Sequence, residues 1–118
     1  QYHELLEELC PSVVLPFREH PGISACHLMP VLLPEGALRE AVMEKMKTRG
    51  IQTSIHYPPV HQFSAYQERP GKFGPGLERT ESLAAREVTL PLHPSLSTAD
   101  VKYVVETLRD SLVELNYL

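Results

Sequence analysis

Two cysteines, no strongly basic run and no long apolar stretch set the first limits on this chain of 118 residues. Cys10 and Cys26 are too few and too far apart for a metal knuckle. They read as buried free thiols in a reducing, cytoplasmic compartment, with a disulfide between them left open. No apolar run approaches the length of a membrane span. The first residues, "QYHELLEEL", are acidic and lack the charged-then-apolar order of a secretion signal. The net charge is −4. The densest basic cluster, "KMKTR" (45–49), falls in the last turn of a predicted helix, where it complements the helix dipole. Nucleic acid is therefore not an expected partner.

Several catalytic patterns are also missing. No glycine-rich loop opens a helix, so the chain holds no self-contained phosphate cradle. No strand-turn-helix glycine elbow frames Ser54 or Ser64. His56 and His61 stand five apart with prolines between them, which rules out the one-turn helical spacing of a zinc-binding pair. Glu40, Glu44, Glu106 and Asp110 fall on helix faces and read as solvated charges. The chain has no initiator methionine, and it starts inside an apolar stripe of Tyr2, Leu5, Leu6 and Leu9. It reads as a helix cut partway along, at the head of a piece of something longer.

What the chain has in excess is proline, 11 residues against about 5% in average usage. Most sit at strand ends and in loops, which implies connections of fixed shape. With 42% apolar and 22% charged residues, one ordinary globular domain is expected. The pattern predicts a helix over 1–9 stopped by Pro11 and an extended segment in "SVVLPF". A strand follows over 24–33, with Pro30 at an edge or irregularity. A helix is predicted over 35–49, started by Pro34 and Glu35, closed by Gly50, and buried along Leu38, Ala41, Val42 and Met46. Alternation over 51–57 predicts a half-buried strand with His56 facing away from the isoleucine face. Residues 62–76 read as a long surface loop. A weaker helix over 77–86 leads into a strand in "VTLPL". The last helix starts at a capping-box-like "STAD" (Ser97 to Asp100) and buries Val101, Val104, Val105, Leu108 and Leu112. Strands interleaved with amphipathic helices give a two-layer α/β sandwich, an α+β arrangement with helices on one side of a small sheet. The sheet's other face, or an edge, is left for another domain.

Two strand ends carry histidine among prolines: "SIHYPPVH" (54–61) and "LPLHP" (90–94). By residue type alone, these read first as stiffened turns in which imidazole and phenol bond loop carbonyls. His3, His20 and His27 have no partner pattern, and His27 in an apolar strand reads as a core or edge histidine.

The order of these pieces carries more than any one of them. "LREAVMEKMKTRGIQTSIHYPPVHQFSAYQ" followed by "ERTESLAAREVTLPLHPSLSTADVKYVVETL" resembles the C-terminal small domain of the DegT/StrS sugar aminotransferases, over residues 24–115. These are pyridoxal-phosphate enzymes of the aspartate aminotransferase fold, fold type I. The resemblance implies a small, mainly antiparallel sheet covered by helices, with residues 1–12 the tail of an interdomain helix and 13–118 the small domain. It implies a whole enzyme that moves an amino group from an amino acid, usually glutamate, to a keto group on a nucleotide-linked sugar. Pyridoxal phosphate and its Schiff-base lysine would belong to a larger N-terminal domain. Lys45, Lys47, Lys72 and Lys102 match no lysine motif of the family, so no catalytic or cofactor-binding residue is assigned here. Instead the chain would form one wall of the substrate cleft, with His56, Tyr57 and His61 as substrate-side donors aimed by Pro58 and Pro59, and His93 structural. A homodimer is implied, as is an exposed apolar face where the large domain sits. The "GKFGPGLERTE" loop departs from the family's commoner form. Two other readings stand beside this one: a self-standing small-molecule-binding or regulatory module, and the small domain of another enzyme of the same fold.

Overall fold

Val31 of Met29–Leu32 (β1) lies opposite Val88 of Glu87–Leu90 (β2), in the antiparallel pair at the centre of the computed structural model, which describes residues 1–68 and 76–118. Each outer edge of the pair takes one further bridge. Val14 exchanges both backbone hydrogen bonds with Leu32, and Ser54 does the same with Thr89. Residues paired across strands share a face. Met29 and Leu90, with Val31 and Val88, form one face; Pro30 and Thr89, with Leu32 and Glu87, form the other.

The first face is covered by helices. Tyr2–Leu9 (α1) and Arg39–Thr48 (α2) both pack against Thr98–Glu114 (α5). Leu6, Val42, Met46, Val105, Leu108 and Leu112 are fully buried in one cluster with Val31, Val88 and Leu90. The chain is thus a mixed α/β domain with helices on one side of a small antiparallel sheet, as the sequence predicts. Tyr2 Oη donates to the Pro91 carbonyl at 2.7 Å, joining α1 to the segment after β2. Burial pushes the Tyr2 phenol up to about 12 and the Cys10 thiol up to about 11. Both cysteines are free, but only Cys10 is buried; Cys26 is exposed, against expectation.

Helix ends follow local chemistry closely. The Ser97 side chain accepts from the Asp100 N–H while the Asp100 carboxylate takes the Ser97 N–H, a complete capping box built with Asp. All five predicted stripe residues of α5 are buried. At the end of α2, Gly50 N–H bonds the Lys47 carbonyl at 2.9 Å and Ile51 N–H bonds the Met46 carbonyl at 3.0 Å. With Gly50 at φ 78°, this is a Schellman cap.

The start of α2 differs from the sequence reading. Pro34–Glu35–Gly36–Ala37 is a turn, closed by Ala37 N–H on the Pro34 carbonyl, with Gly36 at φ 83°. Gly36 at the third position is what such a turn demands, so the helix starts only at Arg39, and Leu38 stays exposed. The strand predicted over 24–33 is likewise cut to Met29–Leu32. Met29 already pairs with Leu90, and Pro91 ends β2, which leaves residues 24–28 no ladder to join. Because Leu32 points its amide at Val14, Pro30, two residues earlier, points its missing donor at the same outer edge. The loop predicted over 62–76 begins at the end of a 3₁₀ turn, Val60–Gln62, and its first part contains a short helix, Ser64–Gln67 (α3). Its remainder at 69–75, Lys72 included, lies outside the described residues. Glu78–Arg86 (α4) then runs directly into β2. Among the described residues no helix is long and apolar enough to cross a membrane.

Candidate functional site

The far face of the sheet carries the polar chemistry. Alternation along β2 puts Val88 and Leu90 into the helical layer and leaves Glu87 and Thr89 on the opposite side, where they are nonetheless buried (9% and 5% exposed). An extended segment, residues 51–57, runs beside β2 and reaches both of them through His56. Its one bridge at Ser54 and Thr89 has backbone bonds of 3.1 and 2.8 Å. Two residues on, the ladder would bring the His56 N–H to the Glu87 backbone. The Glu87 side chain takes that N–H instead, at 2.9 Å to Oε2. This substitution of a carboxylate for a carbonyl ends the ladder on the His56 side of the Ser54 bridge.

The same carboxylate accepts the Thr89 hydroxyl through Oε1 at 2.5 Å, and Thr89 Oγ1 lies 2.8 Å from His56 Nδ1. Glu87, Thr89 and the His56 ring therefore form one hydrogen-bonded set. The ring lines a small cavity of about 180 Å³ together with His27, Gln52, Ser54, Thr89 and Pro91. Tyr57 packs on His56 edge to face, with ring centroids 4.8 Å apart and an interplanar angle of 62°. The two side chains, expected to alternate across a strand, lie together instead. The peptide bond between them is cis. Tyr57 is 73% exposed and leaves most of its ring to whatever covers this face.

His61 lies apart from this pair. The turn after Pro58 and Pro59 directs its Nε2 to Glu81 Oε1, 2.7 Å away in the first turn of α4. The hydrogen bond from His61, with a further one from Gln62, holds the Glu81 carboxyl below the usual carboxylate range. His93 is exposed, and its carbonyl takes the Leu96 N–H in the turn before α5. His27 is exposed and outside the sheet, where a strand position was expected.

Glu87 and Thr89 were the residues missed by sequence reasoning. The signal that could have found them is the alternation E-V-T-L, which places both polar side chains on the face away from the helices. Val60 and Phe63, just beyond Tyr57, are 54% and 44% exposed, so an apolar surface continues along the segment that leaves the site.

Nothing among the described residues fits a reactive lysine. Lys45 pairs with Glu114 at 2.7 Å, Lys47 with Glu44 at 3.6 Å and Lys102 with Glu106 at 3.7 Å, all on solvated helix faces. Glu114 also pairs with Arg49, so the basic cluster at the end of α2 serves to tie α2 to α5. Among the described residues no three His, Cys, Asp or Glu side chains gather as metal ligands.

Comparison with known proteins agrees with this architecture. The aminotransferase TlmJ from Streptoalloteichus hindustanus matches 98% of this chain at 29% identity and a TM-score of 0.81, over 30% of its own length. DesV from S. venezuelae, solved in complex with a ketimine intermediate, matches 92% at 30% identity and a TM-score of 0.75, over 29% of its length. Helicobacter pylori PseC, an aminotransferase involved in pseudoaminic acid biosynthesis, shares the fold over 96% of the chain at 22% identity and a TM-score of 0.84. The chain thus spans under a third of the structures it matches. The family model for DegT/DnrJ/EryC1/StrS aminotransferases covers residues 1–109, taking in α1, both strands, the His56–Tyr57 site and most of α5. The chain belongs to the DegT/DnrJ/EryC1/StrS aminotransferase family.

Proposed function

We propose that this chain is the C-terminal small domain, with residues 1–12 as the interdomain helix, of a cytoplasmic, homodimeric aminotransferase. That enzyme uses pyridoxal phosphate to move an amino group from an amino acid, glutamate by preference, to a keto sugar linked to a nucleotide. The single observation that carries the reading is the exposed Tyr57 ring stacked edge-on against a His56 that is anchored from behind by Thr89 and Glu87. Such an arrangement holds one histidine still and offers it, with a phenol, to a face that the sheet and helices leave open.

His56 and Tyr57 form the wall of the substrate cleft in this reading. His61 contributes by fastening the 3₁₀ turn to α4, through the Nε2 contact to Glu81, and so sets the course of the chain leaving Tyr57. Pyridoxal phosphate supplies the carbonyl that accepts and returns the amino group, but the described lysines, ion-paired on open helix faces, do not fit its attachment. That lysine belongs to the large domain beyond this chain, which also covers the apolar run through Val60 and Phe63.

The test uses the full-length protein. With pyridoxal phosphate, glutamate and nucleotide-linked 3-keto and 4-keto sugars, 2-oxoglutarate should form beyond one equivalent per bound cofactor only when a sugar is present. No 2-oxoglutarate beyond one equivalent with every keto sugar, from protein that binds the cofactor, would overturn the proposal.

A further inference from the structure

Hydrogen-bond donors can be counted at the Glu87–Thr89–His56 set, and the count decides which nitrogen of His56 carries its proton. An ionised carboxylate only accepts. Glu87 Oε2 takes the His56 backbone N–H, and Oε1 takes the Thr89 hydroxyl proton. Threonine has one such proton, so what Thr89 Oγ1 presents to His56 Nδ1 at 2.8 Å is a lone pair. Nδ1 must then be the donor. Both Glu87 and Thr89 are buried, which limits the competition of water for either group. The sheet sets the arrangement: residues 87 and 89 share a face, and the Ser54 and Thr89 bridge brings residue 56 opposite 87.

We propose that Thr89 and Glu87 are positioning residues that hold the neutral His56 ring as its Nδ1–H tautomer, so that Nε2 meets a ligand as a hydrogen-bond acceptor. No described residue bonds Nε2, and the ring lines the 180 Å³ cavity. The sequence reading has His56 as a donor; the hydrogen-bond count reverses its sense. The matching ligand group is an O–H or N–H, such as a sugar hydroxyl, and not a phosphate oxygen or carboxylate, either of which would need the ring to give a proton. This ligand class rests on the substrate-side reading of His56 proposed above. The tautomer does not, because it is set within the chain.

The tautomer is read directly from two-bond nitrogen–proton correlations of full-length protein labelled with ¹⁵N-histidine, without substrate and at a pH where the ring is neutral. His56→Gln assigns the signal. The wild type should show a protonated Nδ1 and a bare Nε2. Thr89→Val, which keeps the shape and loses the hydroxyl, should move the ring toward the Nε2–H form. Thr89→Ser, which loses the methyl and keeps the hydroxyl, should not. A packing role alone would not sort Val from Ser in this way. An Nε2–H ring in the wild type would overturn the proposal by itself, whether or not the variants fold, and so would a Val variant with the wild-type tautomer. The substrate-side role of His56 fails separately, if His56→Ala leaves sugar turnover intact.

Discussion

The Glu87 carboxylate and the His56 backbone N–H are 2.9 Å apart across 31 residues of chain, with a side chain standing in for a strand partner. Glu87 is buried and accepts two donors, so its removal strands the His56 N–H and the Thr89 hydroxyl. Glu87→Ala should destabilise the fold by about 2 kcal/mol, the scale of hydrogen bonds to a buried charged group. Glu87→Gln, which retains an acceptor oxygen, should cost less. The urea midpoint reads both, with an unchanged slope marking a loss of stability alone.

Gly50 should not tolerate a side chain. Its φ of 78° completes the Schellman cap of α2, while a Cβ built there meets nothing within 4 Å. The cost of Gly50→Ala is therefore conformational and not steric, about 1 kcal/mol. Gly50→Asn should cost less than Gly50→Ala, because Asn tolerates the left-handed region better. A substitution series followed by thermal or urea unfolding would show that order.

Tyr2 predicts an alkaline limit. Its phenol ionises at about 12 in the folded chain, against an ordinary value of 10.0, because burial disfavours the anion. A raised folded value means the contribution is complete below pH 10 and is lost as pH rises toward about 12. Stability should fall across that window and fall less in Tyr2→Phe. At neutral pH, Tyr2→Phe should itself cost about 1 kcal/mol through the lost bond to the Pro91 carbonyl.

Glu81 predicts the opposite edge. Its carboxyl lies below 4.5, held down first by the hydrogen bond to His61. A lowered folded value means the contribution is present above pH 4.5 and is lost as pH falls through the folded value. Acidification should loosen the 3₁₀ turn from α4 before the core unfolds. Hydrogen-exchange protection at residues 60–67, measured against the intrinsic rate at each pH, should fall on acidification in the wild type, and should already be low at neutral pH in Glu81→Gln.

Much of the fold was legible because local chemistry and tertiary packing agree. "STAD" caps α5, and "RG" before Ile51 closes α2, since both motifs satisfy their own helix-end groups without help from distant residues. "PEGA" reads as the first turn of a helix although Gly36 at its third position makes it a turn, a case of helix periodicity outvoting turn chemistry. The strand expected over 24–33 is shorter in the structure for a different reason: its length depends on a partner that Pro91 ends. In the site, His56 and Tyr57 stood out by residue type. Glu87 and Thr89 did not: the E-V-T-L alternation shows which face they share, but their partnership with His56 comes from a register between segments more than 30 residues apart.

Separating the two halves of transamination tests the central claim most directly. In full-length His56→Ala, single-turnover amination of the nucleotide-linked keto sugar should fall about 10- to 100-fold in kcat/KM, the scale of one lost hydrogen bond in a closed site. The half-reaction with glutamate should stay close to wild type. Equal losses in both halves, or no loss in either, would contradict the placement of His56 on the sugar side of the cleft.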